Sequence, residues 1–150
     1  MTKRYQKMLL AVDFHKDNRT VVETARDLQG LYEAELHIVH VNEPLGIAYA
    51  ADGVSWGDQV YALEKSIRDE SRKQLNAMGE ELGVVKDNLH LLEGRPSSCI
   101  HDLSEEGNFD LIILGTHGQS GLQLLLGSTA NSVLHGAKCD VLAIRVGDED

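Results

Sequence analysis

Short, continuous apolar runs alternate with stretches of helical period along this chain, and that alternation limits its folds more than any other feature. Met8–Val12, Glu35–Val41, Asn88–Leu92, Asp110–Leu114 and Asp140–Val146 are read as five strands, with apolar residues on neighbouring positions, as in parallel strands buried on both faces. Asp17-Asn18 offers an N-cap to a first helix whose apolar positions Val21, Val22, Ala25 and Leu28 follow a 3.6 period, ending near Gly30. From Tyr61, Leu63, Ile67, Leu75, Met78 and Leu82 mark a long second helix stopped by Gly83, with a charged face between Ile67 and Leu75. Pro96 or Ser97 opens a third, with Cys99, Ile100 and Leu103 on one side and Gly107-Asn108 at its end; Ala130, Val133 and Leu134 belong to a fourth. Right-handed crossovers then give an α/β, doubly wound, five-stranded and mainly parallel sheet with helices on both faces. Such sheets bind ligands beyond the carboxyl ends of the strands, where the winding reverses, so the loops after strands 1 and 4 are the places to look.

At 150 residues and 42% apolar content, one domain over residues 1–150 with a single core is expected. The apolar runs fall far short of the roughly twenty residues of a membrane span, and the run after the basic N-terminus is broken at Asp13, too soon for a secretory signal. A cytoplasmic protein is expected. Cys99 and Cys139 are forty positions apart, without redox or zinc spacing, and read as two buried thiols. The net charge of −10 and the acidic end Asp148-Glu149-Asp150 repel polyphosphate backbones, which argues against nucleic acid. A small anion remains possible where local backbone dipoles outweigh the global charge. Leu45–Gln59, closed off from strand 2 by Pro44, is a long, weakly patterned connection of the kind that is usually functional or mobile.

Behind strand 4, Gly115, Gly118 and Gly127 precede Ser128 and Thr129. Several backbone N–H groups before a helix, together with the positive end of its dipole, hold a phosphate, and glycine lets the backbone come close. The hydroxyls of Ser128 and Thr129 add donors. Neither the P-loop pattern with its lysine nor G-x-G-x-x-G is present, and a plain strand-to-helix connection capped by Ser128 fits the same residues.

The stretches "KMLLAVDF", "HIVHVNEP", "LIILGTHGQSG" and "LLLGSTANSVLHGAKCDVLAIRV" together resemble the universal stress protein family over the whole chain and in order. The resemblance implies a Rossmann-like sheet of order 3-2-1-4-5 and a dimeric stress-response sensor or switch that binds ATP or a related adenine nucleotide, with or without Mg2+. The family's nucleotide-binding branch carries G-x-x-G-x(9)-G-[ST]. By that analogy Gly115, Gly118, Gly127, Ser128 and Thr129 contact phosphate or ribose, Asp13 sits by the ribose, Ala11 and Val12 lie beside the base, and Val41 offers backbone groups to the adenine edge. Here residues 119–126 give a spacer of eight rather than nine, a shortening of up to about 3.5 Å if extended or about 1.5 Å if helical. The resemblance also implies homodimers paired through strand 5, residues 141–146, whose apolar ribbon is otherwise an exposed edge or one covered by its own chain.

His117 lies inside the glycine stretch, either donating to phosphate or satisfied by a nearby carbonyl. Asp13 is a ribose or metal contact, or else a carboxylate capping the following turn. His37, His40, His90, His101 and His135 are scattered, with no second ligand at a useful spacing, and no metal site is expected. No base and nucleophile can be assembled into a catalytic set, so catalysis is at most slow ATP hydrolysis. The rival reading is a nucleotide-free dimer acting through protein–protein contacts, with Tyr49, Trp56 and Tyr61 as anchors.

Overall fold

The computed structural model describes residues 4–14, 18–45, 57–116 and 128–146. The strands are β1 (Lys7–Ala11), β2 (Glu35–Asn42), β3 (Leu89–Glu93), β4 (Leu111–Thr116) and β5 (Asp140–Arg145). The helices are α1 (Arg19–Tyr32), α2 (Gly57–Leu82), α3 (Pro96–Glu106) and α4 (Ser128–Gly136). All neighbouring strands are parallel, in the order β3-β2-β1-β4-β5. This is the expected doubly wound sheet. The chain steps outward from β1 through β2 to β3, then returns to lay β4 on the other side of β1, so the winding reverses between β1 and β4.

The helices fall on two faces. Val21, Val22 and Ala25 of α1 and Leu75 and Leu82 of α2 pack with Met8, Leu10, Leu36, Ile38, Leu111 and Ile113. Ile100 of α3 and Ala130 and Val133 of α4 pack with Leu9, Val39, Ile112 and Leu114. Alternate residues of the central strands thus enter opposite cores, which is why those strands read as continuous apolar runs.

Several boundaries differ from the sequence expectation. Helix α1 passes through Gly30 and ends at Tyr32, capped by Glu33, which adopts the left-handed conformation at φ 53°. Asn18 holds the N-cap position without a side-chain capping bond, and its Nδ2 donates to the Asp13 carbonyl at 2.8 Å. Helix α2 starts at Gly57, four residues before Tyr61, and Gly83 follows it at φ 71°. Leu63 is 46% exposed and Leu134 is 45% exposed, so neither joins the core, whereas Ser71 and Gly79 of α2 are buried. The Gly79 position is closed by Leu89, which a Cβ would meet at 2.8 Å. Asp110 precedes β4 rather than opening it, accepting from the Gln6 and Lys7 amides at 2.9 and 3.2 Å. Asn88 falls in a 3-10 turn and Val146 lies just past β5. Cys99 and Cys139 are free and half-buried rather than buried; burial raises both thiols above the ordinary cysteine value.

Candidate functional site

Crossovers leave β1 and β4 in opposite directions, so their carboxyl ends frame a crevice. A cavity of about 530 Å3 opens there, within the usual size of small-molecule sites. Ala11, Val39, Val41, Leu114 and Ile100 supply an apolar lining, against which a flat ring system would lose water-exposed surface. Val12, Asp13 and Asn18 line it from the end of β1, and His40, Asn42 and Glu43 from the end of β2. Pro96 at the start of α3, Gly115 of β4, and Ser128, Thr129 and Ala130 in the first turn of α4 also line it, with Leu45 and Ile67. The opening turns of helices carry amides without intrahelical partners and the positive end of the helix dipole. One end of the cavity therefore suits an anion and another an apolar ring.

Backbone bonds fix this geometry. The Val12 amide donates to the Val39 carbonyl at 3.0 Å, extending the β1–β2 ladder past Ala11, and the Asn18–Asp13 bond closes the turn beyond it. The Leu45 amide donates to Glu64 Oε2 at 2.6 Å, tying the exit of β2 to α2. The His40 side chain is buried at 5% exposure, its Nδ1 2.8 Å from the Val12 carbonyl and its Nε2 2.9 Å from Asn42 Oδ1. The Phe14 ring lies 4.6 Å from the imidazole, centroid to centroid. Ser71 Oγ of α2 is 3.2 Å from the same Asn42 oxygen, while Asn42 Nδ2 is buried without a hydrogen-bond partner.

Of the site residues expected from the sequence, the structure brings Ala11, Val12, Asp13, Val41, Gly115, Ser128 and Thr129 to this one cavity. His117, Gly118 and Gly127, with the spacer between the glycines, lie outside the described residues. Sequence reasoning missed His40, Asn42 and Ser71. Their signal was faint: a histidine and an asparagine two apart on an otherwise apolar strand, facing one side by the strand period.

Two histidines expected to be scattered in fact meet. At the amino end of β2, His37 Nδ1 is 2.9 Å from His90 Nε2 of β3, and His37 Nε2 is 2.5 Å from Glu35 Oε2. The Phe109 ring packs edge-on against His37 at 4.8 Å, and Lys7 Nζ lies 4.7 Å from the centre of that ring. Burial, then His37 and Lys7, hold the His90 imidazole below the ordinary histidine value, while the bond from His37 holds the Glu35 carboxyl low. Parallel pairing sets β2 and β3 side by side, and residues 53 apart become neighbours.

The sheet order and the cavity at its winding reversal define a Rossmann-like α/β protein with a ligand-sized crevice at the switch point. The chain belongs to the universal stress protein family, whose family model matches residues 4–145. It is 41% identical to universal stress protein A homolog 2 of Coxiella burnetii over 144 residues, covering 95% of this chain and 96% of that one. Among solved structures, the hypothetical protein MJ0577 shares the fold with a TM-score of 0.75 at 22% identity, over 97% of this chain and 99% of that one. A universal stress protein in complex with cAMP shares it at 0.59 and 22% identity, over 95% and 98% of the two chains.

Proposed function

We propose that this universal stress protein binds ATP or a related adenine nucleotide in the crevice between β1 and β4, and acts as a dimeric sensor or switch in the stress response. The observation that carries the reading is the make-up of one cavity: apolar at Ala11, Val39, Val41 and Leu114, carboxylate-bearing at Asp13, and bounded by the first turn of α4. These suit, in turn, a purine ring, a ribose and a phosphate chain. Ala11 and Val12 lie beside the base, Val41 offers backbone groups to its edge, and Asp13 takes ribose hydroxyls. Gly115, Gly118, Gly127, Ser128 and Thr129, with His117, hold phosphate through amide and side-chain donors. Mg2+, where it accompanies the nucleotide, offsets phosphate charge. The cAMP complex of a protein with the same fold supports an adenine-bearing ligand. Local amides and the helix dipole oppose the overall charge of −10.

The same reading has one domain over residues 1–150, located in the cytoplasm and paired with a second copy through β5. Its position as an edge strand, bonded among the described residues to β4 alone, supports the pairing. Among the described residues no helix is long and apolar enough to cross a membrane. Tyr61 at 57% exposure and Leu63 at 46% favour a second reading, in which the start of α2 meets a protein partner without any nucleotide.

The two readings separate on the small molecules released when freshly purified protein is denatured. Mass spectrometry is expected to find an adenine nucleotide, and Gly118→Val to abolish it while the far-UV spectrum stays native. No released nucleotide, with no uptake of added ATP at millimolar concentration, refutes the first reading.

A further inference from the structure

The ladder between β1 and β2 stops before β2 does. Its register pairs Ala11 with Val39, and the Val12 amide, donating to the Val39 carbonyl at 3.0 Å, makes the last rung. In a strand between two parallel neighbours the backbone groups of successive residues point to one neighbour and then the other, so Val41, like Val39, turns its amide and carbonyl toward β1. Asn42 faces the other way, its carbonyl accepting from the Gly94 amide beyond β3 at 3.0 Å. A continued ladder would join the Val41 amide to the Val12 carbonyl and the Phe14 amide to the Val41 carbonyl. Among the described residues neither bond is made. His40 Nδ1 holds the Val12 carbonyl instead, at 2.8 Å, and the Phe14 ring lies 4.6 Å from the imidazole. A carbonyl only accepts, so Nδ1 donates to it in either charge state of the ring. Strand alternation puts the His40 side chain on the sheet face of Ile38, whose core also takes Phe14, and the chain leaving β1 is drawn out of the ladder toward that face. Val41 is left half-buried in the cavity lining, with a donor and an acceptor side by side.

We infer that His40 opens this stretch of backbone to the ligand: by holding the Val12 carbonyl, it keeps the end of β1 from pairing with Val41, whose amide and carbonyl then read the base of the nucleotide. This rests on the nucleotide-binding reading and deepens it. A 6-amino purine presents an accepting ring nitrogen beside a donating amino group, which match the amide and the carbonyl in turn. A 6-oxo purine reverses both, setting donor against donor and acceptor against acceptor, which is the costlier half of hydrogen-bond discrimination. His40 is buried and touches no ligand; it is a positioning residue that acts through Val12.

The test compares ATP with ITP, which differs at the 6 position, by calorimetric titration of the full chain and of two variants. His40→Asn keeps an N–H close to the place of Nδ1, and His40→Leu removes it. Wild type and His40→Asn are expected to favour ATP by about tenfold or more, and His40→Leu to bring the two nucleotides within about threefold of each other. Amide hydrogen exchange of the nucleotide-free wild type needs no variant: the Val41 amide is expected to exchange at least about a hundredfold faster than the Val39 amide, and to slow when ATP is added. A Val41 amide as protected as that of Val39 in the free protein, equal affinities in wild type, an ATP preference unchanged in His40→Leu, or one lost equally in His40→Asn overturns the role of His40 and leaves the nucleotide reading standing. If wild type binds neither nucleotide, the nucleotide reading falls and this inference falls with it.

Discussion

His90 shows how one side chain ties the fold to pH. Burial, and then repulsion from His37 and Lys7, places its folded-state value below the ordinary 6.5. The unfolded chain therefore takes up a proton at a higher pH than the folded one. Its contribution to stability is complete above pH 6.5 and is lost as pH falls from there through the lower folded value. Glu35, also held low, adds a second loss below its ordinary 4.5. Thermal midpoints followed against pH are expected to drop below pH 6.5 in wild type and to flatten in His90→Gln over the first window, keeping the fall near pH 4; identical profiles would remove His90 from the explanation. Between the two helices α3 and α4, His101 Nε2 donates to the Val133 carbonyl at 3.0 Å, and its ring occupies space that Gly136 leaves open. A Cβ at Gly136 would lie 2.4 Å from His101 Cε1. Gly136→Ala is expected to cost about 1–3 kcal/mol in urea unfolding, and less in a His101→Ala background, since the two sites share the contact.

Elements were more legible in the sequence than their ends. All five strands and all four helices fall where hydrophobic period placed them, because burial on both faces of a parallel sheet leaves a continuous apolar record. The ends depend on local geometry that the pattern does not carry. Gly30 looked like a stop, yet α1 runs through it and breaks at Glu33, whose left-handed backbone no preference of glutamate would suggest. The exposed start of α2 lacks an apolar stripe, so its first turn at Gly57 was invisible to periodicity. Glycines at helix ends give this a direct check. An added Cβ at Gly30 meets nothing within 4 Å, so Gly30→Ala is expected to stabilise the protein by about 0.5–1 kcal/mol. Gly83, at φ 71°, is the opposite case, and Gly83→Ala is expected to destabilise by about 1–2 kcal/mol. Equal effects at the two positions would contradict this description of both helix ends.

For the molecule as a whole, the winding reversal is what converts a sheet into a binding site. Strand order pointed to the loops after β1 and β4, and the family resemblance named the residues: Ala11, Val12, Asp13, Val41, Gly115, Ser128 and Thr129 line one cavity. The buried polar network of His40, Asn42 and Ser71 was not readable, because its bonds join β1, β2 and α2 across 28 and 29 residues of sequence. The same topology leaves β5 at an edge, and light scattering at micromolar concentration is expected to return the mass of two 16.5 kDa chains. A monomer mass would leave that edge without its proposed partner. The most direct test of nucleotide binding itself is the thermal midpoint of the purified protein as ATP is added. Binding to the folded state alone predicts a rise that continues with the logarithm of ATP concentration, worth about 2.7 kcal/mol at a hundredfold excess over Kd. A midpoint that stays flat up to millimolar ATP, in protein that carries no nucleotide from purification, would contradict it.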